Sequence, residues 1–170
     1  MSEDQRGTVV IGLGNPIMGD DGVGLAALAR LGELWDLPPG VQLVDGGTWG
    51  MNLLPVIEDA GRVVLLDAID TGAPPGTPAT LERAHLPRYL ALKVSPHQVD
   101  LRDVLALAEL RGTLPVHTVA LGLQPERVEM GVGLSPRVAD ALDGVVAAAI
   151  GLLESWGHRC TPRAEPALHA

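Results

Sequence analysis

The stretch Val9-Val10-Ile11-Gly12-Leu13-Gly14-Asn15-Pro16-Ile17-Met18-Gly19-Asp20-Asp21-Gly22-Val23-Gly24 decides how this chain is read. A β-branched run stops at a glycine, and a glycine-studded turn then feeds an apolar helical pattern, which is the start of a βα unit. Gly14 and Gly19 have the spacing of a phosphate-binding loop. Such a loop ends in Gly-Lys-Ser/Thr, so that an ammonium and backbone N–H groups share the phosphate charge. Here Asp20 and Asp21 stand at that point and would repel a phosphate. The dinucleotide fingerprint also fails, because Gly12-x-Gly14 is followed at position 17 by isoleucine rather than glycine or alanine. The turn is built to face a cation, or a ligand that carries one.

Outward from this turn, short apolar runs alternate with helical patterns. Thr8–Leu13 reads as the first strand, and a helix follows from about Gly22 to Leu34. Pro38-Pro39-Gly40 interrupts the chain before a strand at Val41–Val44, which runs into Asp45-Gly46-Gly47-Thr48; a helix is predicted at Met51–Asp59. The run Val63-Val64-Leu65-Leu66 within the next strand, Arg62–Ala68, suits a central position covered on both faces. A Pro/Gly-rich connection, Thr71–Pro78, leads to a short edge strand at Thr80–Glu82. Ser95-Pro96 and Ser135-Pro136 each have the form of an N-cap followed by proline at the first helical position. They open helices ending near Leu110 and Glu154, with a strand at Pro115–Leu123 between them. The expectation is a single α/β domain over residues 1–156, with a mostly parallel five-stranded twisted sheet and helices on both faces. Residues 157–170, lacking any period, read as a loose tail.

Composition narrows the function. The 170 residues are 46% hydrophobic but only 2% aromatic, with no Phe, so the core is aliphatic. With a net charge of -9 and Lys93 as its one lysine, the chain lacks the basic clusters that nucleic acid requires. Cys160 is the single cysteine, which excludes an internal disulfide and suits a reducing compartment. No apolar run approaches the ~20 residues of a membrane span, and the polar start Met1-Ser2-Glu3-Asp4 is unlike a leader peptide. A cytoplasmic monomer that binds neither nucleic acid nor membrane is expected.

In open α/β sheets, ligands sit beyond the carboxyl ends of the strands. The polar residues there are Asn15, Asp20 and Asp21 after the first strand, Asp45 and Thr48 after the second, and Asp67 and Asp70 after the third. His97, opening a helix, can reach the same edge. Two carboxylates and an imidazole from separate loops suit a divalent transition metal with open positions. Plainer roles stay open beside this one. Asp20 or Asp21 serves equally well as a helix N-cap, Asp45-Gly46-Gly47 as a turn, and His97 alone as a surface or capping residue. Asp67, directly after four aliphatics, needs partners because it ends a buried strand. No serine sits in a Gly-x-Ser-x-Gly elbow, Cys160 and His158 fall in the expected tail, His117 reads as satisfying a local hydrogen bond, and Met51 and Met130 read as packing residues.

Taken together, the first turn, Asp45-Gly46-Gly47-Thr48-Trp49-Gly50, Leu65-Leu66-Asp67-Ala68-Ile69, Pro75-Gly76-Thr77 and Ser95-Pro96-His97-Gln98 resemble the hydrogenase maturation endopeptidases. The order and approximate spacing hold from about residue 8 to residue 155. Each motif is weak alone, and five in register make the resemblance strong. It implies an enzyme that removes a C-terminal peptide from the precursor of a nickel–iron hydrogenase large subunit once nickel is in place. By position it implies that Asp21, Asp67 and His97 bind nickel carried by the substrate, with no tightly held cofactor of the enzyme's own. Some members have glutamate where this chain has Asp21, a carboxylate one methylene further out. Asn15, Asp20, Asp45, Gly46, Gly47 and Thr48 are then expected to shape the cleft and dock the substrate tail, and Asp21 or Asp67 to assist catalysis. Ordinary pKa values of about 4 and about 6.5 allow ionised carboxylates and a neutral coordinating imidazole near neutral pH. Two alternatives use the same residues: a small-molecule metallohydrolase with its own metal, and a non-catalytic nickel chaperone or docking module.

Overall fold

The computed structural model describes residues 2–47, 49–91 and 97–164; for 89–91 and 97–100 the description is of the backbone alone. In chain order the elements are β1 (Thr8–Gly12), α1 (Val23–Leu34), β2 (Trp35–Asp36), β3 (Val41–Asp45), α2 (Leu53–Asp59), β4 (Arg62–Ala68), β5 (Pro78–Glu82), α3 (Leu86–Ala91), α4 (His97–Leu110), β6 (His117–Leu123), α5 (Pro136–Ser155) and β7 (Thr161–Pro162). Five strands form one sheet in the order β3-β1-β4-β6-β5, parallel except for β5, which runs antiparallel to β6. Every residue of β1 is buried, as are all but the first of β4 and of β6, so these aliphatic runs are interior strands. By contrast β5 alternates between exposed and half-buried and begins with Pro78, as an edge strand can.

Strand order explains where a ligand can enter. From β1 the chain moves outward to β3, then returns across β1 to β4 and continues to the other edge. The β1/β4 seam is therefore the switch point, where loops depart to opposite faces and leave a crevice. Alternate side chains feed two cores. Val9, Ile11, Val63 and Leu65 pack with Leu53 and Ile57 of α2 and Val104 and Leu105 of α4. Val10, Val64 and Leu66 pack with Val23, Ala27 and Leu31 of α1 and Val145, Ala149 and Leu153 of α5. Asp67 has the parity of Val63 and Leu65, which puts it on the sheet face that carries α4.

Two segments depart most from the sequence reading. Arg83–Ala91 forms a short 3-10 turn and α3, where no helical period was legible. The segment after Gly157, expected to be loose, is fastened as far as Arg163. Cys160 is buried, β7 pairs with β2, the Arg163 N–H donates to the Leu34 carbonyl at 2.8 Å, and His158 Nε2 lies 2.7 Å from Thr8 Oγ1. Single anchors hold this stretch rather than a repeating apolar face, so it carries no periodic signal. No described helix is long and apolar enough to cross a membrane.

Candidate active site

The glycines of the first turn answer to packing. A Cβ on Gly24 would lie 2.1 Å from the Leu66 carbonyl oxygen and 2.5 Å from that of Leu13, so α1 presses its first turn against the strand ends. Gly14 turns at φ 111°, and a Cβ there would collide with the Asp21 carbonyl. The chain then makes a turn at Asn15, whose Oδ1 accepts from the Ile17 N–H at 3.1 Å, and a 3-10 turn over Gly19–Gly22. Neither Asp20 nor Asp21 is the N-cap of α1; Gly22 occupies that position.

The two adjacent aspartates have separate surroundings. Asp20 is fully buried. Its Oδ2 accepts from the N–H groups of Glu126 and Arg127, both at 2.9 Å, and from Ser135 Oγ at 2.8 Å; Oδ1 accepts from the Ser135 N–H at 2.7 Å. Burial alone would push its pKa up, but the donors from Ser135, Arg127 and Glu126 outweigh that and hold it below the ordinary aspartate value. This carboxylate staples the β1–α1 loop to the β6–α5 loop. The backbone adds to the seam: Gly19 N–H donates to Gly131 at 2.9 Å, Gly131 N–H to Ile17 at 2.9 Å, and Asp20 N–H to Arg127 at 2.9 Å. Ser135 does sit at the N-cap of α5 with Pro136 following, as the sequence suggests, but its hydroxyl serves Asp20 rather than the helix.

Asp21, 3% exposed, accepts from the Asn15 N–H at 2.9 Å in the 3-10 turn just before α1. Asp67, 2% exposed, accepts from the Ala68 N–H at 2.7 Å at the end of β4. Asp67 thus ends β4, while Asp21 lies in the 3-10 turn that follows β4's neighbour β1. His97 is the first residue of α4, on the same sheet face as Asp67; its side chain lies outside the described part of the structure. Among the described side chains no three of His, Cys, Asp and Glu group closely enough to hold a metal. Asp70 belongs to a turn: it accepts from Gln124 Nε2 at 2.9 Å and from the Gly72 N–H at 3.0 Å, which hold its pKa low.

Beside this crevice a groove of about 600 Å³ is lined by Gly14, Pro16, Leu25, Asp45, Gly47 and Trp49, among others. Asp45 is exposed and its Oδ1 accepts from the Gly47 N–H at 3.1 Å, so the turn and the groove wall are one structure. Gly46 lies against Ile11, where a Cβ would come within 2.5 Å of a methyl group. Thr48 lies outside the described residues. The β6–α5 loop is the feature the sequence did not reveal. Gln124, Ser135 and the N–H groups of Glu126 and Arg127 act through hydrogen bonds to residues more than fifty positions away. Met51 and Met130 are not packing residues; they are 47% and 83% exposed.

Fold and site together define a doubly wound α/β protein with buried carboxylates beyond its strand ends, where related architectures receive phosphates. A family model described as hydrogenase maturation protease matches residues 26–152. The hydrogenase expression/formation protein HupD of Rhodobacter capsulatus is 39% identical over 155 residues, covering 90% of this chain and 74% of that one. The hydrogenase 2 maturation protease of Escherichia coli is 31% identical over 156 residues, covering 91% and 95%. The structure of the hydrogenase maturating endopeptidase HybD from E. coli superposes with a TM-score of 0.87 at 31% identity, over 92% of this chain and 98% of that one. The chain belongs to the hydrogenase maturation protease family. It is an endopeptidase of that family, with a role in processing the hydrogenase large subunit.

Proposed function

We propose that the enzyme removes a C-terminal peptide from a nickel–iron hydrogenase large-subunit precursor after nickel insertion, and that it reads the substrate's nickel with Asp21, Asp67 and His97. The observation that carries this reading is the pair of almost fully buried carboxylates, Asp21 in the 3-10 turn that follows β1 and Asp67 at the end of the adjacent β4. The packing of α4, which begins at His97, on the sheet face whose parity Asp67 shares supports His97 as the third ligand. A site that samples a metal belonging to another protein needs an incomplete ligand set with open positions, and two carboxylates with one imidazole meet that need. The nickel then polarises the scissile carbonyl or activates water, with Asp21 or Asp67 assisting as base. Asn15, Asp45, Gly46, Gly47 and Thr48 dock the substrate tail in this proposal, and Asp20 holds the β1–α1 loop to the β6–α5 loop. The setting is a reducing cytoplasm, where the precursor's metal site is assembled.

The test is incubation with nickel-loaded precursor, read by intact-mass spectrometry for loss of a C-terminal peptide. Nickel-free precursor should remain uncut, and its complete cleavage would overturn the proposal. A stoichiometric metal that co-purifies with the enzyme would instead favour the small-molecule metallohydrolase. Binding without any change in precursor mass would favour a docking module.

A further inference from the structure

The protein invests a buried carboxylate and several backbone hydrogen bonds in ordering residues 126–135, yet that loop turns apolar side chains to solvent. Val128 is 49% exposed, Met130 83% and Val132 90%. A lone parallel bridge joins Met18 to Gly131, with N–H donors from Gly19 and Gly131 on either side of it. That register sets Ile17, 54% exposed, abreast of Met130, so the loop and the first turn share one apolar rim. Next to the rim, Arg127 and Glu129 pair at 3.6 Å, so their charges offset one another. A loop of no further use would be expected to be polar and loosely held. This one has its shape set in advance and its apolar groups uncovered, the features of a preorganised docking surface. Methionine, polarisable and adaptable, suits such a contact.

We infer that Ile17, Val128, Met130 and Val132 form a docking rim for an apolar face of the folded large-subunit precursor, and that Asp20 is the positioning residue that fixes it. The occupant follows from continuity: Ile17 lies four residues before Asp21 on the turn that enters the crevice, so a protein whose bond is cut there must also lie against this rim. The inference rests on the proposed processing function. It places recognition in a surface that is independent of the metal-reading residues.

The experiment is titration calorimetry of purified nickel-loaded precursor against wild type, a Met130→Asp/Val132→Asp double variant, Ile17→Ser, and Leu110→Asp. Leu110 is 85% exposed at the far end of α4 and serves as the control. The expected result is a rise in Kd of about tenfold or more for the double variant, a smaller rise for Ile17→Ser, and none for Leu110→Asp. Circular dichroism and the unfolding midpoint should match wild type in each case. Unchanged affinity in the double variant and Ile17→Ser would overturn the inference, as would an equal loss in Leu110→Asp. Self-association of the wild type that the double variant abolishes would also overturn it, by making the rim a contact between copies of this chain. Wild type that binds precursor without cutting it would refute the processing function and leave the rim standing; wild type that binds none would refute both.

Discussion

Replacing Asp20 by asparagine tests the seam between the two loops with almost no change in shape. In the native protein Oδ2 accepts three hydrogen bonds and Oδ1 one, all within 2.9 Å. An asparagine oxygen in the Oδ2 position keeps three of these, without charge assistance, at a cost of about 0.5–1 kcal/mol each. Its amide nitrogen then faces the Ser135 N–H donor to donor, which adds about 1–3 kcal/mol. Relief from burying a charge returns part of the loss, so the net destabilisation is about 2–4 kcal/mol. Asp20→Ala strands all four donors and approaches the exceptional range of about 4–5 kcal/mol. Urea unfolding measures it: the Asp20→Asn midpoint should drop by about 1–2 M with little change in slope. Amide exchange at Glu126, Arg127 and Ser135 should accelerate first, because the loop can open without unfolding the sheet.

The pH dependence follows from the same bonds. Asp20's folded pKa lies below its ordinary value, so its contribution is full above that value and is lost as pH falls through the folded pKa. Wild-type stability should therefore decline on acidification below about pH 4, and the Asp20→Asn curve should be flatter over that window. A variant within about 0.5 kcal/mol of wild type, the usual reach of neutral surface changes, with unchanged exchange at those amides, would refute the reasoning.

Four further outcomes are expected. Asp21→Asn and Asp67→Asn should each reduce processing of nickel-loaded precursor by about a hundredfold or more, read as uncut mass, if both carboxylates read the metal. Gly24→Ala should not yield soluble folded protein, because its Cβ would sit 2.1 Å from a backbone oxygen of β4 that cannot withdraw; expression with a wild-type unfolding midpoint would contradict this. His158, whose pKa is lowered by burial and by the Arg62 charge, should contribute stability above about pH 6.5 that fades as pH falls toward its folded pKa. The wild-type midpoint should fall from pH 7 to pH 5 more than that of His158→Gln. Truncation after Gly157 should lower the melting temperature by several degrees through loss of Cys160 burial and the β2–β7 pairing, as calorimetry will show.

Much of the fold was legible because it is written in local patterns. The run Val63 to Leu66 reads as a central strand, and the Pro/Gly-rich connection ahead of Thr80–Glu82 points to an edge strand, which the structure extends back to Pro78. The carboxylates at the strand ends were legible for the same reason, since Asp67 directly follows that run and Asp21 directly precedes an apolar helix. What stayed hidden depends on partners distant in sequence. Asp20 and Asp21 are indistinguishable as letters, yet one is consumed by a loop more than a hundred residues later and the other accepts from Asn15 within its own turn. Met130 looked like core because methionine usually is, and only the Gly131–Met18 bridge shows that it is held outward. The tail after Gly157 hid because a side-chain bond from His158 and a two-residue strand leave no period to read.

The first turn can now be understood as an inversion of a familiar site. In a phosphate loop the positive end of a helix and the backbone N–H groups meet an anion that arrives from solution. Here the same helix start carries its anions in the chain: Asp20 and Asp21 occupy the 3-10 turn just ahead of α1. Asn15 donates its N–H to Asp21 as a phosphate-loop amide would to an oxygen of the ligand. With the anion built in, the turn suits a cation rather than a phosphate, as the proposed function requires. The glycines remain because close approach of α1 to the strand ends is needed in either case, as Gly24 against Leu66 shows. On this view an aspartate suffices at position 21, since the charge, and not the reach of a glutamate, is what the architecture supplies. Asp21→Glu should therefore retain nickel-dependent processing within about tenfold of wild type, whereas the neutral Asp21→Asn should not. Equal loss in both variants would show that side-chain length governs the site.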